Sequence, residues 1–268
     1  MLEFLLLFAV IGAASGFASG LFGIGGGIMR IPVFVLLFPP FGIHGEYEMK
    51  VAAATSLALA VPASLLSMRK HAALGNFDWS YYRTWVIGLC LGVVGGIAIT
   101  PLMPEVALKI AFLIFVLLMI VYFATPLQTK MLSQEPLHGP GKAAASMGIG
   151  CYCTCIGIAG GSLAAPLMKI FGNPLTKALA IGSGTSAIVS TLGMAGGIFN
   201  GWEVAGRPNW SLGFVDLLIF AVMLPGALLF PGWGVEVAHR MNPDWLRKIY
   251  AGFLSLIAMS MLWHLLSR

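Results

Sequence analysis

Charge is what this sequence has least of. Of 268 residues only 9% are Asp, Glu, Lys or Arg, against roughly a quarter in a soluble domain. A chain so poor in charge cannot clothe a water-facing surface. Other shortages narrow the field further. No Gly-Lys-Ser or Gly-Lys-Thr occurs, so no phosphate-binding loop of that kind takes energy from ATP. The cysteines, Cys90, Cys151, Cys153 and Cys155, all lie in apolar surroundings, which does not suit an extracellular disulfide framework. The first apolar stretch, residues 2–22, holds Glu3 as its single charge. It lacks the basic start of a signal peptide and is read as structural.

What is present is apolar sequence: 59% of the residues are hydrophobic and mean hydropathy is +0.92. The pattern predicts an all-α integral membrane protein with 8–10 membrane segments. They fall at 2–22, 28–38, 51–68, 81–100 and 106–125, then at 143–160, 161–172, 176–199, 211–230 and 245–266. Two of these, 28–38 and 161–172, are too short to cross ~30 Å as helices and read as half-helices. Residues 126–142 are the most polar stretch and read as a linker between a first half, 1–125, and a second half, 143–268. The net charge of +5 is scattered rather than clustered, so nucleic acid is not an expected partner; the bilayer is. Eleven of the fifteen basic residues fall on the side reached after odd-numbered segments. The positive-inside rule then puts both termini outside, and an odd number of segments per half inverts one half relative to the other.

The chain is organised around Gly23-Ile24-Gly25-Gly26-Gly27-Ile28-Met29-Arg30-Ile31-Pro32, which interrupts an apolar run where a span should continue. Glycine lacks the Cβ that forbids positive φ, so the backbone is free to leave the helix here, and Pro32 suits the start of a new one. The interruption recurs as Gly157-Ile158-Ala159-Gly160-Gly161-Ser162-Leu163-Ala164-Ala165-Pro166, 134 residues on. Thr55-Ser56 recurs as Thr185-Ser186, Gly75 to Asp78 as Gly213 to Asp216, and Leu108-Lys109-Ile110 as Arg247-Lys248-Ile249. Glycine-broken segments at matching places in two halves mark the central site of a secondary transporter. Each break would present backbone amides at a half-helix start, which attracts anions. The candidate substrate-binding residues are therefore Gly23, Gly25, Gly26, Gly27, Gly157, Gly160, Gly161 and Ser162, with Thr55, Ser56, Thr185 and Ser186 as hydroxyl donors. For the hydroxyls, back-bonding to their own helix is an equal alternative.

Arg30 suits bidentate binding of an oxyanion, yet snorkelling to the cytoplasmic interface is the simpler reading of its position. Asp78 and Asp216 read as helix caps. Cys151, Cys153 and Cys155 form a possible soft-ligand site for a metal such as Cu(I) or for a sulfur compound. With no His or carboxylate nearby they read more simply as packing residues. No catalytic residue, metal or cofactor is assigned.

The Gly-x-Gly-Gly-Gly run with Pro five residues on, repeated in both halves, resembles the TauE/SafE family of sulfite exporters. The resemblance covers the whole chain in layout, though its specific motif is confined to the two ten-residue stretches; the second copy departs from it at Ala159 and Ser162. It implies a secondary transporter, not an enzyme, that exports sulfite, sulfoacetate or a similar small sulfur-containing anion. A membrane-embedded metal or redox protein and a passive channel are the alternatives, and the oligomeric state stays open.

Overall fold

A computed structural model describes residues 2–22, 26–38, 47–125, 133, 135–204 and 210–266. The described chain is almost wholly helical. Its first half comprises α1 (Leu2–Phe22), α2 (Gly27–Leu37), α3 (Glu48–Ala73), α4 (Trp79–Ile99) and α5 (Glu105–Ala124). The second comprises α6 (Gly139–Ile156), α7 (Gly161–Ile170), α8 (Leu175–Asn200), α9 (Leu217–Leu229), α10 (Pro231–Arg240) and α11 (Pro243–Leu266). A two-residue hairpin, β1 (Ser211–Leu212) with β2 (Val215–Asp216), precedes α9.

Among the described residues five stretches are long and apolar enough to cross a membrane: 48–73, 79–102, 105–124, 175–200 and 217–238. Their outward faces carry Ile87, Leu91, Val94, Leu118 and Val121, all exposed. An aliphatic face without polar cover is stable only against lipid, so the chain is a multi-pass membrane protein. The short elements are as short as the sequence suggests: α2 has 11 residues and α7 has 10.

Three boundaries differ from the sequence reading. The helix α6 begins at Gly139, inside the stretch read as linker, because Pro140 sits in its first turn, where a missing N–H costs nothing. The remaining linker residues 126–132 and 134 lie outside the described residues. The ninth segment does not run from 211 to 230; residues 211–216 form the hairpin, and the span continues through α10 to residue 238. Pro231 starts α10, so this span is itself interrupted.

Packing follows a reciprocal scheme. The helix α3 lies on α8, and α5 on α11; α1 packs against α9 and α10, while α4 packs against α6; the short α2 and α7 lean on α3 and α8. Small residues permit the close crossings. A methyl on Gly16 would sit 2.5 Å from Gly226 O, and one on Gly96 would sit 2.7 Å from Cys151 O. The repeated markers share conformation as well as sequence. Gly75 and Gly213 both take positive φ, 69° and 59°. Three residues on, Asp78 accepts the Tyr81 amide at 3.1 Å and Asp216 the Ile219 amide at 2.9 Å, so both are helix caps, as read from sequence.

Candidate functional site

The two glycine breaks are built alike and meet. Gly26 (φ −71°, ψ −7°) opens α2 and its carbonyl accepts from the amides of Met29 and Arg30. Gly160 (φ −61°, ψ −13°) opens α7 and accepts from Leu163 and Ala164. Neither glycine uses positive φ, contrary to the reason given for it from sequence. What each position requires is space. A methyl on Gly26 would lie 2.5 Å from Arg30 Nη2, and one on Gly160 would lie 2.8 Å from Thr185 Cγ2. Positive φ is confined, within the described part of the motifs, to Gly157 (75°), which ends α6 as the amide of Ile158 turns back to Cys153 O at 3.0 Å. Gly23 and Gly25 lie outside the described residues. A methyl on Gly27 would be 3.2 Å from Ser56 Oγ and 3.7 Å from Gly157 O, so the first break abuts the second.

Beside that junction lies a cavity of about 290 Å³. Gly26, Gly27 and Arg30 line it from the first break; Ala159, Gly161, Ser162 and Ala165 line it from the second. The C-terminal half of α3 adds Ala60, Ala63, Ser64 and Ser67, and the N-terminal half of α8 adds Leu179, Gly182, Ser183 and Ser186. Ser19 of α1 and the α9–α10 junction, Ala227 and Pro231, complete it. The cavity therefore lies toward the ends of α3 and α8 that carry Arg69, Lys70 and Lys177. On the opposite side α3, α4 and α8 close together, with methyls on Gly193 and Gly197 meeting Leu57 and Ala54 at 2.7 and 2.6 Å.

Arg30 is the residue that sequence reasoning placed least well. It does not snorkel: it is 2% exposed and lines the cavity. The rest of α2 explains the burial. Phe34 stacks on Phe38 at 5.3 Å and meets Phe8 of α1 at 5.9 Å, while Ile31 and Val35 are fully buried. That anchoring holds the face of the half-helix that bears Arg30 inside, so its one charge goes inside with it. The guanidinium Nε donates to Ser15 Oγ at 3.2 Å, and Ser15 in turn donates to Gly12 O at 3.0 Å. Arg30 Nη1 is buried with no hydrogen-bond partner among the described residues, and no carboxylate there pairs with Arg30. A charged group left so costs several kcal/mol.

The hydroxyls divide by helical phase. Ser56, 1% exposed, has a buried Oγ with no partner among the described residues, beside Gly27. Ser186 Oγ accepts from the Gly161 amide at 2.9 Å. Both serines thus face a break. Ser56 does not line the cavity, and neither do Thr55 and Thr185, one residue earlier and about 100° round the helix, although Thr185 Cγ2 lies against Gly160. Thr55 Oγ1 accepts from the Asp216 amide at 3.0 Å; Thr185 Oγ1 accepts from Trp85 Nε1 at 2.9 Å and donates to Ile181 O at 2.8 Å. They brace α3 against α9 and α8 against α4. The cysteines are not in the cavity either. Cys153 packs with Trp85 and Leu89, whereas Cys151 and Cys155 pack into the other core, and no group of three metal-ligating side chains occurs among the described residues.

The polar side chains of the cavity missed from sequence are Ser19, Ser64, Ser67 and Ser183. On α3 the run Ser56, Ala60, Ala63, Ser64, Ser67 is one small-residue face at helical spacing, and on α8 Leu179, Gly182, Ser183 and Ser186 make another. Continuing those faces from Ser56 and Ser186 was the available signal.

Membrane-spanning helices broken beside a cavity lined by a buried cation suit a membrane transporter. Comparison with known proteins agrees. The chain belongs to the sulfite exporter TauE/SafE family, whose description matches residues 8–261. It is 27% identical over 262 residues to a "Probable membrane transporter protein" of Haemophilus influenzae, covering 97% of this chain and 99% of that one. A "Probable membrane transporter protein" of Methanocaldococcus jannaschii is 25% identical over 264 residues, covering 97% of each chain. No solved structure matches the chain.

Proposed function

We propose that the protein moves a small sulfur-containing anion, such as sulfite or a short organosulfonate, through the cavity where the two glycine breaks meet. One observation carries this reading. Arg30 is buried, without a carboxylate partner among the described residues, with Nη1 unpartnered and the guanidinium lining a 290 Å³ cavity. A transported oxyanion supplies the missing charge and the missing acceptor together. The family's printed description supports sulfite as one candidate. The reciprocal packing of the halves supports an inverted repeat with the breaks near its axis, in which rocking exposes the site to each side in turn. The cavity's place on the Arg69–Lys177 side, which the positive-inside rule assigns to the cytoplasm, fits loading from within and export.

Purified protein in liposomes, loaded with sulfite or an organosulfonate and assayed for counterflow of the same labelled anion, tests the reading. Wild type should exchange at least one of them and Arg30→Gln none. Exchange by Arg30→Gln at the wild-type rate would remove the site assignment. The soft-ligand reading of the cysteines has no comparable support, because Cys153 packs away from Cys151 and Cys155 and none of the three lines the cavity.

A further inference from the structure

We infer that a small cleft between α3, α4, α6 and α8 is the outward half of the pathway, closed in this state, and that Lys50 is its anion station. The inference rests on the transport site proposed above and adds a second place where the anion is held.

The two spaces are lined by exchanged elements. Beyond the breaks themselves, the cavity is lined by α1, the α9–α10 junction, the C-terminal half of α3 and the N-terminal half of α8. The helices lining the cleft are α6, the end of α4, the C-terminal half of α8 and the N-terminal half of α3. Each stands at the same place in the other half of the chain. On the two long helices the match holds residue by residue. Thr55 and Thr185 set an offset of 130, and at that offset Ala63, Ser67 and Ser183 of the cavity become Gly193, Gly197 and Ala53, all of which line the cleft. Two inverted halves have this property, because the axis that relates them carries an inner vestibule onto an outer one.

The cavity measures about 290 Å³ and the cleft about 20 Å³, room for roughly one water. What shuts the cleft is α8 lying against α3 and α4. Methyls on Gly193 and Gly197 would lie 2.7 Å from Leu57 Cδ1 and 2.6 Å from Ala54 Cβ, and one on Gly196 would run into Ile97. Asn200 Nδ2 fastens the end of the contact by donating to Ile97 O at 2.8 Å. The cleft opens only when α8 parts from α3 and α4.

Lys50 is the single charged residue lining the cleft. It stands at the end of α3 remote from Arg69 and Lys70, on the side the positive-inside rule assigns to the outside. Its acidic neighbours are engaged elsewhere. Glu48 pairs with Lys109 at 2.9 Å, and Glu105 Oε2 accepts the Met49 amide at 2.8 Å. No carboxylate among the described residues pairs with Lys50, whose ammonium lies 3.5 Å from Pro101 O and 5.8 Å from the centre of the Tyr47 ring. A half-buried ammonium holds an anion more loosely than a buried guanidinium does, which suits the last station before release.

The test uses the full-length protein in nanodiscs with two reporters, Thr154→Cys in the cleft and Ser67→Cys in the cavity. Modification by a small anionic methanethiosulfonate is followed at each residue by mass spectrometry, which separates the reporters from the native cysteines. Ser67→Cys should react at least about tenfold faster than Thr154→Cys, whose position is 5% exposed. Adding Gly197→Ala drives a methyl into Ala54; Thr154→Cys should then react faster and Ser67→Cys slower, each by about threefold or more. Gly193→Ala, whose methyl first meets the flexible end of Leu57, supplies the wedge if Gly197→Ala does not fold. In the opened variant Lys50→Gln should lower the ratio of anionic to cationic reagent rates at Thr154→Cys by about three- to fivefold, while Lys50→Arg keeps it. A wedge that speeds both reporters or neither overturns the inference, as does a charge preference untouched by Lys50→Gln. None of these rates depends on Arg30 or on a transported substrate. If they fail while Arg30→Gln still abolishes exchange, the cavity stands and only this exit falls. If Arg30→Gln exchanges like wild type, the site and its exit fall together.

Discussion

The two glycine breaks share a backbone and differ in chemistry. Both open a half-helix at a right-handed glycine whose carbonyl takes the next turn's amides, and both sit under a serine one position after a threonine. The first carries Arg30, with a nitrogen unpartnered among the described residues, and faces Ser56, whose hydroxyl is likewise unpartnered there. The second carries Ala164, fully buried in apolar packing, and its Gly161 amide is satisfied by Ser186. One break is thus left chemically open and the other closed. In the proposed site the two similar backbones supply the shape, and divergence of single side chains leaves the charge on one of them.

The largest effect should come from exchanging the charged position. Arg30→Gln should lower transport by at least about a hundredfold, the scale of removing one member of a buried charge pair. Adding Ala164→Arg to it should not restore transport, because Ala164 does not line the cavity. Rescue by the double variant, measured as counterflow in liposomes, would show the breaks to be interchangeable.

Glycine substitutions come next. Gly157→Ala combines positive φ with a methyl driven into the backbone of Ala53, and should cost about 2 kcal/mol or more of stability. Gly161→Ala, blocked by Gly182 O at 2.6 Å, should cost about 1–3 kcal/mol by forcing α7 off α8. Gly26→Ala meets only the flexible end of Arg30. It should fold normally in a thermal melt yet transport poorly, and normal transport by it would show that the guanidinium need not lie where it does.

These contrasts show what was legible in sequence. Long apolar runs fixed the fold class, and the repeated glycine–proline spacing located both breaks, because such features depend only on chain neighbours. The depth of Arg30 was not legible, since it follows from Phe34, Ile31 and Val35 docking α2 into the core. The sequence could not choose between site and back-bonding for the threonines for a similar reason. One residue along a helix turns a side chain by about 100°, so Ser56 faces the break while Thr55 holds Asp216. The α9–α10 interruption was missed because Pro231 follows an apolar run that already looked long enough to stop there.

Smaller effects separate the paired hydroxyls. Ser186→Ala leaves the Gly161 amide without its acceptor and should cost about 1–2 kcal/mol, whereas Ser56→Ala removes a buried hydroxyl with no partner and should be neutral or slightly stabilising. Equal melting shifts for the two would erase the distinction between an open and a closed break. Thr55→Val and Thr185→Val should each cost about 1 kcal/mol of stability, through the lost contacts to Asp216 and Trp85, without altering anion affinity. A loss of affinity in either would return them to the site.

The position of a bound anion tests the central claim most directly. A structure determined with a saturating transported anion should show it in the cavity, with an oxygen within hydrogen-bond distance of Arg30 Nη1 and the anion against Gly26 and Gly27. An anion held instead at Cys151–Cys155, or bound away from both breaks with Arg30 still unpartnered, would contradict it.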